Sequence, residues 1–185
     1  MTPIDTNVRI GELKQGIDQV VENPIGLALD KTRQVVRALN ADLASEYVLY
    51  HQYKKHHWLV EGAEYWQIHK LLDEHAGQVL TYADMLAERI TALSGVPISG
   101  PAEQERAAYI EHEAEGLYEL REMLENDQRG GQAIVLKLRE HIDLANRLGD
   151  YGTEHLLRET LLGQEELVHQ LDHLLALESL AKVVH

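Results

Sequence analysis

Four long segments of this sequence carry apolar side chains at the spacing of an amphipathic helix. The first runs over about 28–59 and the second over about 64–94. The third runs over about 117–148 and is expected to stop at Gly149. The fourth follows along the chain, with Asp150 or Thr153 expected to cap it. Glycine and proline end the second segment, and a long connection, with one short helix expected around 103–113, precedes the third. The pattern predicts an all-α four-helix bundle with a long crossover between its second and third helices.

Composition favours one helical domain. The chain has 185 residues, of which 44% are hydrophobic and 5% aromatic, so one substantial core and little sheet are expected. We expect an N-terminal arm over 1–25, the bundle over 26–181 and a short tail over 182–185. The sequence has no cysteine and no apolar run near the roughly 18 residues that a membrane span needs. A cytoplasmic protein without a membrane partner is therefore predicted, with association with the nucleoid left open.

The net charge of −14 argues against a general nucleic-acid surface. Seventeen Lys and Arg stand against 31 Asp and Glu, and phosphate binding needs clustered basic residues. In the terminal segments, Arg9 and Lys14 are outnumbered by acids and the C-terminus offers only Lys182. The charge favours cations as ligands, and direct DNA binding is not expected.

Five side chains that can bind a metal ion lie close together in the sequence. They are His57, His69, Asp73, Asp84 and Glu88. His69 with Asp73, and Asp84 with Glu88, are i,i+4 pairs, so each pair shares one face of a helix. Asp73 and Asp84 are nevertheless about 16 Å apart along the helix axis, because each residue rises 1.5 Å. The second helix is thus predicted to carry two half-sites that cannot share one ion within a chain.

A second copy of this helix, antiparallel and related by a two-fold axis, would join the half-sites. Ala76, Gly77 and Leu80 are expected on the same face between them, where they would let two helices approach closely. The sequence therefore predicts two identical sites in a dimer.

The turn at 61–64 predicts a helical hairpin that holds His57 beside His69. Each complete site would then combine two imidazoles with carboxylates from both chains. Such a mixed nitrogen and oxygen set suits iron or another first-row divalent ion.

These positions also carry a family resemblance over about 35–97. The residues are Lys55-His56-His57-Trp58, then Glu61-Gly62, His69 and Asp73, and finally Asp84-Met85-Leu86-Ala87-Glu88-Arg89. They resemble the Dps family of mini-ferritins, to which the segment 148–175 is more loosely similar. The resemblance implies the ferritin-like fold, a twelve-subunit hollow shell, ferroxidase activity with hydrogen peroxide or oxygen as oxidant, and storage of ferric mineral. Any protection of DNA from oxidative stress would then be chemical.

The resemblance also implies which subunit supplies each ligand of the iron. His57, His69 and Asp73 would come from one subunit and Asp84 and Glu88 from its neighbour, with all five acting as catalytic iron ligands. It further implies that Trp58 lies beside the site.

Two other classes of protein are alternatives to this interpretation. A bacterioferritin would hold two irons inside each bundle, but Val79 and Tyr82 stand at the ligand positions of its second helix. Its haem-ligating methionine would fall near Leu80, which cannot bind haem. A non-catalytic helical assembly that sequesters metal is the other alternative.

The locations of several polar residues outside these five positions are also predicted. Glu46, Glu166 and His169 are predicted to form a buried polar cluster satisfied by mutual hydrogen bonds, with a secondary metal site as the minority interpretation. The remaining residues fall into two groups: His56, His75, His112, His155 and His173, predicted at the surface, and Asp143, Asp150 and Glu154, predicted to line acidic pores for iron entry.

Overall fold

The computed structural model describes residues 11–176, which contain five helices and no strand. The helices are α1 (Leu29–Leu59), α2 (Tyr65–Ala92), α3 (Pro101–Ala107), α4 (Leu120–Leu148) and α5 (Tyr151–Leu175). α1 packs mainly against α2 and α4 mainly against α5, while contacts of α1 with α4 and of α2 with α5 join the two hairpins. The crossover between α2 and α4 runs along α1, which α3 contacts. The predicted all-α bundle with its long crossover is confirmed.

The helices end where the sequence supplies the conformation that stops them. Gly62, in the turn between α1 and α2, has φ of 99°, and Gly149 ends α4 in the left-handed region with φ of 78°. The Asp150 carboxylate then caps α5 by accepting a hydrogen bond from the backbone N–H of Thr153 at 3.0 Å. The predicted stop at Gly149 and cap at Asp150 are both confirmed.

The short helix of the crossover lies earlier in the chain than predicted. It spans Pro101–Ala107 instead of about 103–113, and proline suits its first turn because the N–H that proline lacks would have no helical partner there. Residues 108–119 are not helical, and Glu113 in this segment accepts a hydrogen bond from Lys55 on α1. This contact with α1 helps to hold the second half of the crossover in a non-helical conformation.

α4 continues without a break through Gly130 and Gly131, although each glycine costs a helix about 1 kcal/mol relative to alanine. A Cβ atom on Gly131 would lie 2.8 Å from Cγ2 of Val168 on α5, and one on Gly130 would lie 3.1 Å from Cδ1 of Leu49 on α1. The glycine pair therefore lets α4 approach both neighbouring helices.

The core lies along the bundle axis and is formed by large aliphatic side chains from all four long helices. Its fully buried members include Leu39, Leu43, Leu49, Leu72, Leu86, Ile90, Leu124, Ile134, Leu138 and Leu171. In the part of the chain that the structure describes, no helix is long and apolar enough to cross a membrane.

The residues before α1 are not helical where they are described, from Gly11 onwards, and they contact the bundle. Gln15 donates a hydrogen bond to the backbone oxygen of Ser94 at 2.9 Å, and Val20 is buried in the core. The first part of the predicted arm, with Arg9, and the predicted tail over 182–185, with Lys182, lie outside the described residues.

Candidate metal centre

The end of α1 and the beginning of α2 bring His57 and His69 into direct contact, as the sequence predicted. The two imidazole rings stack with centroids 3.7 Å apart and planes 22° apart. Each Nδ1 lies 2.8 Å from the backbone oxygen of the other histidine. Because a carbonyl oxygen can only accept, each Nδ1 carries a proton, and each Nε2 of the neutral ring then keeps a lone pair for a metal ion.

Asp73 lies one helical turn beyond His69 and beside the histidine pair. Its Oδ1 atom is 4.0 Å from Nε2 of His57, and its side chain is 58% exposed. Lys54 of α1 donates a hydrogen bond to the same Oδ1 at 2.7 Å. This hydrogen bond holds the pKa of Asp73 below its ordinary value. The carboxylate is therefore ionised, but it already has a cationic partner.

Lys54 is a residue of the site that the sequence reasoning missed. It precedes His57 by three positions on α1, so the two side chains share a face of the helix. That spacing was visible in the sequence and could have revealed it.

Asp84 and Glu88 are exposed on the same face of α2 as Asp73. α2 is continuous from Tyr65 to Ala92, so the separation of about 16 Å between Asp73 and Asp84 along the axis stands. Within residues 11–176 of a single chain, no three histidine or carboxylate side chains converge closely enough to hold a metal ion. One chain thus presents two separate half-sites.

The α2 surface between the half-sites is partly apolar. Leu80 is 40% exposed, and the exposed Gly77 has open space where a Cβ would lie. Ala76, which was expected on this face, is buried in the core instead, because α2 turns that side of the helix towards the bundle. Trp66 lies in line with Asp73 and Gly77 on the helix and is 70% exposed.

One aromatic side chain lies against the histidine pair, and another follows His57 in the sequence. Trp58 follows His57 directly and is 69% exposed in the single chain. The ring of Tyr65 lies 4.9 Å from the ring of His69, one helical turn away. Tyr65 was also missed from the sequence, although its i,i+4 spacing to His69 pointed to this contact.

His56 and His75 were predicted at the surface, and both are buried. His56 is adjacent to His57, but a helix rotates neighbouring residues by about 100°, so His56 points into the bundle. Its Nδ1 and Nε2 atoms each lie 2.8 Å from a carboxylate oxygen, of Asp127 and Glu113 respectively. Burial acts to lower the pKa of His56, but the two carboxylates outweigh burial and raise it. His56 is therefore a charged link between α1, α4 and the crossover.

The predicted cluster of Glu46, Glu166 and His169 does not form. Glu46 is fully buried, but its partner is Gln164, whose Nε2 donates to Glu46 Oε2 at 2.6 Å. Glu166 and His169 point outwards and are exposed. On α5 these residues follow Gln164 by two and five positions, which turns them away from the face that meets Glu46.

The predicted acidic pore is wrong at Asp150. This residue is buried, caps α5 and pairs with Arg89 of α2 at 2.6 Å, so it is part of the bundle's internal support. Glu154 is half-buried and pairs with Arg158 at 2.8 Å, whereas Asp143 is exposed. A role for Asp143 and Glu154 in iron entry stays a prediction.

Four long helices in two hairpins, with a crossover between them and histidines and carboxylates near the first hairpin, define the ferritin-like class. The family model described as "Ferritin-like domain" matches residues 36–181 of this chain. The chain belongs to the Dps family of ferritin-like proteins.

Relatives and solved structures agree with this assignment. The chain is 47% identical over 146 residues to a DNA protection during starvation protein of Halobacterium salinarum, covering 79% of this chain and 80% of the relative. It is 38% identical to a nutrient stress-induced DNA-binding protein of Nostoc, covering 91% of each. The crystal structure of an archaeal Dps homologue from Halobacterium salinarum matches with a TM-score of 0.84 at 40% identity, covering 98% of this chain and 97% of that one.

Two further solved structures, both of bacterial proteins, also match. DpsC from Streptomyces coelicolor matches with a TM-score of 0.88 at 30% identity, covering 94% of this chain and all of the other. A Dps protein from Vibrio cholerae, described as a ferritin-like diiron-carboxylate protein, matches with a TM-score of 0.79 at 29% identity, covering 85% and 98%. Membership of this family implies a general role in iron storage and oxidative protection.

Proposed function

We propose that this protein is a ferroxidase whose di-iron sites are shared between two subunits, and that it stores the oxidised iron inside a hollow shell. The observation that carries the proposal is the pair His57 and His69. Their Nδ1 atoms are tied to backbone oxygens, so both Nε2 atoms are prepared to bind a metal, while Asp84 and Glu88 lie too far along α2 to reach the same ion.

A two-fold contact between α2 helices would complete the site. Antiparallel pairing around Gly77 and Leu80 places Asp84 and Glu88 of one chain against the histidines and Asp73 of the other. The exposed Trp66 and Leu80 support this contact, because large apolar side chains on a surface mark interaction sites. The missing Cβ of Gly77 favours close approach of the two helices.

The ligand set fits the proposed substrate. Ferrous iron accepts imidazole nitrogen and carboxylate oxygen together, and three carboxylates offset the charge of the bound ions. Two ferrous ions each lose one electron to hydrogen peroxide, whose O–O bond breaks to leave two hydroxide ions. Hydrolysis of the ferric ions then releases protons to water and yields an insoluble oxyhydroxide. The chain's residues hold the two ions close together, so that both electrons reach one peroxide.

Storage and protection of DNA follow from the same chemistry. We propose that the shell is a closed dodecamer built from two-fold dimers, as the resemblance to Dps proteins implies. The net charge of −14 favours entry of cations. The Nostoc relative is named a DNA-binding protein, but the acidic surface of this chain favours protection of DNA by removal of iron and peroxide.

Complementation between two inactive variants tests the shared site. One variant carries His57→Ala and His69→Ala, and the other carries Asp84→Asn and Glu88→Gln. Each alone assembles only defective sites, so each should be inactive. After unfolding and co-assembly in equal amounts, about half the dimers are mixed, and each mixed dimer contains one intact site of two, so about a quarter of wild-type initial ferroxidase activity should return.

Ferrous oxidation is followed by absorbance, with assembly checked by light scattering. Co-assembly of each variant with itself, under the same protocol, gives the background. Mixed shells of native size that show no recovery would contradict the shared site.

A further inference from the structure

A second pair of histidines lies on α5, on a different helix from every ligand proposed for iron oxidation. His169 and His173 are separated by one helical turn and are both exposed. Their Nε2 atoms are 3.1 Å apart, and their ring centroids are 4.4 Å apart with planes at 70°. The two rings thus point their Nε2 atoms at one small volume outside the helix.

The spacing of the two Nε2 atoms fits chelation of a single metal ion. Two metal–nitrogen bonds of about 2.0–2.1 Å that end 3.1 Å apart enclose an angle of about 98°. This angle lies between those of octahedral and tetrahedral coordination. When both neutral rings carry their proton on Nδ1, both Nε2 lone pairs are free to bind the ion. Otherwise one Nε2–H donates to the other ring, and the pair is only a hydrogen bond.

The surroundings favour a cation. His169 borders a cavity that is also lined by Arg139, Glu165 and Asp172. Arg139 is neutralised by Glu165, whose oxygen lies 2.6 Å from its guanidinium, so Asp172 leaves the cavity with an excess negative charge. Glu166 lies one turn before His169 on α5 and adds a further negative charge near the pair, while its carboxylate accepts a hydrogen bond from Gln170 at 2.9 Å.

We propose that His169 and His173 form a second metal site, which binds a divalent first-row transition ion. The two Nε2 atoms chelate the ion, and water completes its coordination. Imidazole ligands select zinc, copper, nickel or iron over magnesium and calcium. The site goes beyond the proposed ferroxidase, because it needs neither the α2 ligands nor a second subunit.

Zinc binding to the assembled protein tests the proposal. All variants are made in a chain that carries His57→Ala and His69→Ala, which removes the imidazoles of the ferroxidase site. Zn²⁺ is partitioned between the protein and a chromogenic chelator of known affinity. His169→Gln and His173→Gln should each remove one zinc ion per chain from the sites of highest affinity, or weaken zinc binding at these sites at least about tenfold. The reason is that the second ligand of a chelate binds at high effective concentration.

His155→Gln is the matched control. His155 is also exposed on α5 and lies 3.4 Å from a carboxylate oxygen of Glu159, and no histidine stands one turn before or after it on the helix. Its loss should leave the tightest class of zinc sites unchanged. Circular dichroism and light scattering confirm that each variant keeps its helices and its assembly.

A spectroscopic signature separates chelation from single-histidine binding. With one Cu²⁺ per chain, electron paramagnetic resonance should report two bound imidazole nitrogens in the background chain and at most one in His173→Gln. Equal zinc affinity and equal nitrogen count in the His173→Gln and His155→Gln variants would overturn the proposal and leave a hydrogen-bonded pair. Because the background chain lacks the ferroxidase histidines, either result is independent of the complementation test.

Discussion

Neighbouring histidines at the end of α1 serve different purposes because the helix points them in different directions. His57 faces outwards and stacks on His69, while His56 is enclosed between Asp127 and Glu113. The inward histidine fixes the crossover to the bundle, and the outward one is proposed to bind a metal through its Nε2 atom. The hydrogen bonds of His57 and His69 to each other's backbone orient both rings before any metal binds.

Lys54 is predicted to weaken binding of the first ferrous ion, because it holds the Asp73 carboxylate that the ion needs. Lys54→Met should therefore increase ferrous affinity at the half-site and raise the initial oxidation rate at limiting iron, by a factor of about two to five given the modest strength of exposed ion pairs. Ferrous titration under anaerobic conditions measures the affinity.

Lys70→Met is the control for this change. Lys70 also pairs with an acid on α2, Glu74 at 3.7 Å, and that pair is exposed. Equal affinities in the wild type and in Lys54→Met would show that the Lys54 contact does not compete with iron.

Glu46 is predicted to make the fold less stable as pH rises. Burial raises its pKa from 4.5 to about 8, so between these values the folded state keeps a proton that the unfolded state has lost. The contribution of Glu46 to stability therefore falls as pH increases through this window, by at most about 1.4 kcal/mol per pH unit. Glu46→Gln removes this titration, so its free energy of unfolding relative to that of the wild type should increase from pH 5 to pH 8. Guanidinium unfolding measures this difference.

Glu125→Gln provides the comparison, because Glu125 is 41% exposed and pairs with Arg121 on the surface of α4. Its stability difference from wild type should vary little with pH. If the difference in unfolding free energy between Glu46→Gln and the wild type also does not change with pH, Glu46 does not cause the pH dependence of stability.

Two close contacts between long helices occur where one of the helices carries glycine. Gly131 of α4 faces Val168 of α5, and Gly163 of α5 faces the phenol of Tyr82 on α2. Tyr82 is buried, and its ring fills the space that the missing Cβ of Gly163 leaves between α2 and α5.

Gly163→Ala is predicted to destabilise the bundle, because the new Cβ would overlap the Tyr82 hydroxyl and ring. Overpacking of this kind costs about 1–3 kcal/mol, which exceeds the gain of about 1 kcal/mol in helix propensity. Gly130→Ala should be close to neutral, since its Cβ would meet only the flexible ends of Leu49 at 3.1 Å and Ile110 at 3.9 Å. Denaturant unfolding compares the two variants, and equal stabilities would contradict the close packing at Tyr82.

Assembly is predicted to depend on the α2 face that carries Gly77 and Leu80. In the proposed two-fold contact each Leu80 meets the partner helix near its own copy, so Leu80→Lys would place two buried cations close together. The variant should keep its helix content but lose the shell and most ferroxidase activity. Size-exclusion chromatography with light scattering measures the mass.

Gln78→Lys is the control for charge alone, because Gln78 is exposed on α2 but turned about 100° from Gly77. It should assemble normally. A Leu80→Lys protein of native mass and full activity would place the subunit contact elsewhere.

The sequence by itself determined the helices and the candidate ligands, because both are encoded by local spacing. Apolar periodicity located four long helices, Gly149 and Asp150 marked the break between α4 and α5, and i,i+4 pairs identified two half-sites on α2. The 16 Å axial separation followed from helix geometry alone. These inferences needed no knowledge of how the helices pack.

Only the tertiary structure decided which polar residues are buried and which partners they have. His56 and His75 are buried in the bundle, Glu46 accepts a hydrogen bond from Gln164, and Lys54 donates one to Asp73. Each of these environments joins segments that are separated in the sequence. Periodicity fixes a residue's direction on its own helix but not what lies opposite. The identity of the neighbour depends on the rotation and spacing of packed helices, which single-helix patterns do not contain.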